Sequence, residues 1–168
     1  EIANTDSNGI TISSGNIIIP DSIIHNGDDD TKIRFPASNT VSVETNGSER
    51  LRVDSSGRLL IGTNTTRSPA STTCQLQIEG TNAPTSSFSL TRNSADSAGA
   101  KFIINKSRGA SVGSDTAVQS GDILGSIIFA ANDGTDSDNV SAEIRAQIDG
   151  TPGSDDTPGR LVFRTTAD

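Results

Sequence analysis

Five carboxylates, Glu44, Glu49, Asp54, Glu79 and Glu143, are where hydrolytic chemistry would have to rest. Cleaving a glycosidic bond takes two carboxyl groups about 5 to 10 Å apart in a groove that grips the sugar ring. No pair here is singled out by spacing. The platform for a sugar is missing as well, because the chain has no Trp and no Tyr, and its five Phe residues fall in apolar alternations that assign them to a core. His25 is the sole histidine, so a histidine pair cannot form and a Ser and His couple has only this one ring to use. The sequence therefore reads as a non-enzyme with no cofactor.

Two acidic stretches invite a metal. In His25-Asn-Gly-Asp-Asp-Asp30 the carboxylates suit a hard cation, but three consecutive residues on a turn or strand cannot all aim at one ion, so the stretch reads as a solvated acidic turn. Asn132 to Asn139, NDGTDSDN, is similar in composition to a calcium loop yet lacks the full spacing with a Glu at its twelfth position. No metal is expected at either. Asp133, Asp136 and Asp138 of that loop, with Asp155 and Asp156 of the eleven-residue segment from Asp149 to Gly159, are instead candidate binding-loop residues. Long loops often carry function, although a Pro-stiffened solvent connection explains the second one equally. Cys74 is the single cysteine, which rules out an intrachain disulfide and reads as a small side chain buried in or beside a strand.

Such groups need elements to position them, and the elements are strands. From Thr31 to Thr63 apolar residues recur at every second position: Ile33 and Phe35, Val41 and Val43, Leu51 and Val53, Leu59 and Ile61. That period sends them to one face of extended chain. Pro36 to Asn39, Asn46-Gly47-Ser48 and Asp54 to Gly57 supply turns between them. Upstream, Ile10 and Ile12 alternate weakly, and the run Ile17-Ile18-Ile19 reads as a strand buried on both faces by neighbouring subunits. The polar, Pro-containing stretch that follows the repeat reads as a linker. The expected organisation is a short-strand shaft over residues 1–66, a linker at 67–75 and an antiparallel β domain over 76–168.

In the last of these, alternation marks strands at Leu76 and Ile78, Phe88 and Leu90, Phe102 and Ile104, Ile123 to Phe129, Ile144 to Ile148, and Leu161 and Phe163. Their spacing suits an antiparallel sandwich. Gly125 inside the strongest strand predicts a bulge or a close backbone approach. Only Ser94 to Ala100 suggests a helix, and it is too short to stand alone.

Composition limits how such strands can be covered. Leu, Ile, Val and Phe make up roughly a fifth of the chain, near the level at which a lone subunit fails to offset the entropy of ordering. Each short strand offers two apolar residues, and a ribbon with one thin apolar face is marginal alone. Identical neighbours would resolve this. The eight alternating residues Ile33, Phe35, Val41, Val43, Leu51, Val53, Leu59 and Ile61 are then the expected core of a homotrimer, with Arg50, Arg52, Glu49 and Asp54 on the outer face available for an interchain charge ladder. A net charge of −8 disfavours nucleic acid, and no apolar run approaches a membrane span. Beginning at Glu1 without any Met, the sequence reads as a fragment or a processed chain.

DSIIHNGDDDTKIRFPASNTVSVETNGSERLRVDSSGRLLIGT resembles a segment that recurs in tail-fibre and related virion proteins of tailed phages, especially those infecting marine cyanobacteria. Its GSERLRVDSSGRLLIGT portion is similar to a unit often found upstream of an endosialidase-type intramolecular chaperone domain. The carboxy-terminal part from Lys106 to Asp168 resembles a second segment that follows the first in the same proteins. The resemblance covers well over half of the chain and implies a trimeric, β-rich structural protein outside the capsid, located in the virion and extracellular after phage release. Its implied partners are two further copies, neighbouring tail proteins and the host cell surface. Alternatives are a receptor-binding domain acting through its loops, or a polysaccharide depolymerase fragment.

Overall fold

The structure, a computed structural model, describes residues 15–167. The alternation at Ile10 and Ile12 lies outside the described residues. The regular structure of the described residues is almost all β-strand, as the two-residue period predicts, and the chain divides into two units.

The first unit is one six-stranded sheet in chain order: β1 (Ser22–His25), β2 (Asp28–Arg34), β3 (Val41–Thr45), β4 (Ser48–Val53), β5 (Leu59–Ile61) and β6 (Leu76–Ile78). Turn chemistry sets the first four reversals. Asn46 and Gly47 both have positive φ, 52° and 66°, the type I′ pattern whose twist matches a hairpin. Asp54 closes the next loop with its carboxylate, which accepts from the Ser56 and Arg58 amides at 2.9 and 3.1 Å while Gly57 takes φ of 76°. The fifth connection is different. β6 runs parallel to β5, and Gly62 turns the chain out with φ of 75°, so close to the Glu79 carbonyl that a Cβ would sit 2.3 Å from its oxygen.

The second unit is a three-stranded antiparallel sheet of β7 (Ile123–Ala131), β8 (Asn139–Ile148) and β9 (Gly159–Thr165). Arg67–Cys74 joins it as well. Ala70 and Ser71 sit at positive φ, 51° and 56°, and are held there by loop residues: the Ala70 amide donates to the Ser137 carbonyl, and the Ser71 amide and hydroxyl donate to the Asp138 carboxylate at 3.0 and 2.9 Å.

Six expectations need correction. Cys74, expected to be buried, is exposed. Asp28 to Asp30 lie inside β2, and the turn is Asn26-Gly27 alone. Ile17 to Ile19 form no strand. Leu76 and Ile78 belong to the first sheet rather than to a domain beginning at residue 76, because Gln75–Ser86 returns to pair with β5. Phe88, Leu90, Phe102 and Ile104 join no sheet, so the expected sandwich has a single hydrogen-bonded layer within its own unit. The ladder of Arg50, Arg52, Glu49 and Asp54 closes within the chain. Arg52 pairs with Glu49 at 2.7 Å, Asp54 pairs with Arg58 at 2.8 Å, and Arg50 donates to Thr45. At Gly125 both expected features are present: the register shifts there, and Ile104 lies where a side chain would stand, its Cγ2 2.2 Å from the position of a Cβ.

The core is small. Among the described residues only two apolar side chains are buried, Leu60 at 0% and Ile148 at 1% exposure.

Candidate functional site

The strand register gathers the alternating residues into rows. Ile23, Ile33, Val43, Leu51, Ile61 and Ile78 are successive partners across all six strands, and Val41, Val53, Leu59 and Leu76 make a second row across four. Phe35, two residues beyond Ile33, falls on the same side. All eight residues expected to form a shared core therefore lie on one face, joined by Ile23, Leu76 and Ile78. Nothing within the sheet covers this face: Ile33, Phe35, Val41, Val53 and Leu59 remain 36 to 42% exposed, and Leu76 56%.

The opposite face is closed by charge. Lys32 and Arg34 converge on Glu44 at 3.4 and 3.1 Å, and Arg34 also reaches Asp21. With the Arg52–Glu49 and Arg58–Asp54 pairs, four cations meet four carboxylates. Salt bridges at a water-facing surface contribute little individually, but these long stems lie over the sheet and exclude solvent from it. Beneath them Ser42 and Leu60 are fully buried, while Glu44 keeps 8% exposure. The arrangement is inverted relative to an ordinary half-buried sheet: the polar face is sealed and the apolar face is open.

The second sheet also has an open apolar face, while its reverse carries charge together with the exposed Ile128 and Val140. Ile127, Ile144 and Phe163 are register partners, as are Gly125, Ala146 and Leu161, and Ile127, Leu161 and Phe163 are exposed. On the reverse, Glu143 is buried and receives the Ser126 hydroxyl at 2.6 Å, Arg145 through two bonds at 2.9 and 2.7 Å, and Arg164 at 3.1 Å. These donors, Arg145 foremost, hold its carboxyl down at about 2. A group that stays ionised to so low a pH has no proton to give as a general acid near neutrality. A hollow of about 300 Å³ beside it is lined by Ile128, Val140, Arg145, Arg164 and Thr165, with both guanidinium groups turned to Glu143.

The acidic loops spend their carboxylates internally. Asp133 accepts from the Thr135 and Asp136 amides and from Asn139, Asp136 from the Asp138 amide, and Asp138 from Ser71. Among the described residues no group of three His, Cys, Asp or Glu side chains is placed to hold a metal. Asp155 and Asp156 are exposed on a loop pinched by the Gly153 to Asp156 bridge, with Asp155 at φ of 55°. His25 stands 3.9 Å from Asp28, with both side chains exposed.

The geometry thus assembles one kind of site, an open apolar sheet face, twice. Sequence reasoning missed Leu76 and Ile78 as members of the first face because no local pattern announces a parallel return strand, and it missed Ile23 because the adjacent Ile23-Ile24 pair shows no alternation of its own. Neither a known protein family nor any curated protein matches the chain.

Proposed function

We propose that this chain is a structural segment of a phage tail fibre or virion appendage, a spacer and attachment module in which three copies pack their open faces about a common axis and support host adsorption. The observation that supports this most is the six-stranded sheet with its charged face sealed and its apolar face bare. Eleven apolar side chains at the present exposures leave on the order of 700 Å² uncovered, more than a typical monomer's largest patch and close to the ~800 Å² per partner of a stable interface. At ~25 cal/mol per Å² the gross gain on covering it is roughly 17 kcal/mol per chain, comparable to a whole domain's stability, so folding and assembly are coupled.

A second copy of the same face is the natural cover, since it matches in width and twist and carries little charge, with Arg50 donating to Thr45. Three is the number that the tail-fibre resemblance implies. The work of such a piece is mechanical, and its outward surface is the neutralised lattice of Lys, Arg, Asp and Glu.

Light scattering on the purified chain tests this. A mass near three chains is expected, and a well-folded monomer would remove the basis of the proposal. Leu51→Asp places a charge in the middle of the longer row and is expected to abolish assembly. A soluble, fully assembled variant would show that this face is not the contact.

A further inference from the structure

Ahead of β7, within its second unit, the chain makes an excursion that its own fold leaves unfinished. From Ser87 to Ser107 no backbone group is hydrogen-bonded to another backbone group, among the described residues. The stretch has neither helix nor turn and only one bend, at Ala95–Ser97. Phe88 and Phe102, each seven residues from Ala95, meet with ring centroids 6.4 Å apart, so the two arms fold back toward each other without zipping. Every residue from Ser87 to Asn105 is exposed, including Phe88 at 69%, Phe102 at 68% and Ile103 at 76%.

Water can satisfy a bare backbone, but it does not reward bare Phe, Leu and Ile at strand period. A stretch combining strand patterning, unpaired amides and exposed aromatics is a template for β pairing. One end is already seated, because Ile104 lies on the backbone of β7 at Gly125. The missing second layer of the sandwich has therefore been started.

We infer that residues 87–107 become that layer only when neighbouring copies of this chain hydrogen-bond to the arms, so that each subunit's second unit is completed by strands of the others. This rests on the reading that the chain assembles with itself. A second copy is the fitting partner because each chain carries both halves of the contact: two unzipped arms, and an open apolar sheet with Phe129, Leu161 and Phe163 bare. Exchange of identical elements around a rotation axis leaves no arm unused, and it builds oligomers from surfaces the subunit already has. Within the excursion Arg92 pairs with Asp96, which leaves Lys101 and Lys106 as its other charged residues.

Hydrogen exchange with mass spectrometry on the whole chain tests the inference. In the assembled protein the amides of Phe88 to Leu90 and Phe102 to Ile104 should exchange on the order of a hundredfold more slowly than in an unstructured peptide. Ile103→Pro removes one amide and should erase this protection around it, whereas Ile103→Ala, which keeps the amide, should retain it. A trimer whose arms exchange at the free rate would overturn the shared layer and leave the shaft reading standing. A monomer overturns both, and a monomer with protected arms would show that the pairing lies within one chain.

Discussion

Single side chains on the sealed faces report how the polar layer is held. Glu143 has its pKa lowered from 4.5 to about 2, so the folded form takes up its proton later than the unfolded chain does. The stability it contributes is fully present above about pH 4.5 and is lost as the pH falls toward about 2. Asp122, held still lower by Arg108 and by the Gln119 amide, acts in the same direction. Denaturant melts of the parent and Glu143→Gln should therefore differ at neutral pH and converge below pH 4.5; a constant difference down to pH 2.5 would contradict the assignment. Ser42 makes the opposite case. It is fully buried under arginine stems, and its hydroxyl has no hydrogen-bond partner. Ser42→Ala deletes an unsatisfied group and should stabilise the sheet by up to about 1 kcal/mol in equilibrium unfolding. A loss of that size would mean that the hydroxyl is satisfied in solution.

At the scale of elements, the parallel return of β6 is the connection with least tolerance. It depends on Gly62, whose φ of 75° and 2.3 Å clearance to the Glu79 carbonyl exclude a side chain. Gly62→Ala should cost about 1–2 kcal/mol for the left-handed backbone alone. The clash adds to this, and the β5–β6 pairing should be the part that loosens. Exchange measurements would show it as faster amide exchange at Leu59 and Glu79, which bond across that seam. Gly47 offers a contrast, since a Cβ there meets nothing within 4 Å and only its φ of 66° argues against substitution.

Taken whole, the chain leaves an apolar sheet face open in each of its two units, with Ile23, Ile33, Leu76, Leu161 and Phe163 all exposed. Uncovered apolar faces of this kind are what obligate interfaces bury. If assembly supplies the cover, the midpoint of thermal unfolding must rise with protein concentration, because association draws the folded state forward by mass action. A midpoint independent of concentration over a hundredfold range would sink the coupling of folding to assembly.

Much of this was legible in the residues themselves. Alternation at Ile33, Val43, Leu51 and Ile61 placed four strands and their shared face, because a period of two is a local property of extended chain. Asn46-Gly47 and Asp54 to Gly57 fixed the turns between them for equally local reasons of backbone φ. What required the fold was everything joining distant residues. The return of Leu76 to Leu59 passes over a 14-residue connection, the clasp from Ser71 to Asp138 spans 67 residues, and the pairing of charges within the chain rather than along a ladder depends on register. Periodicity likewise marked Phe88 and Phe102 as strand residues, but whether an extended segment finds a partner is decided by what lies beside it in space.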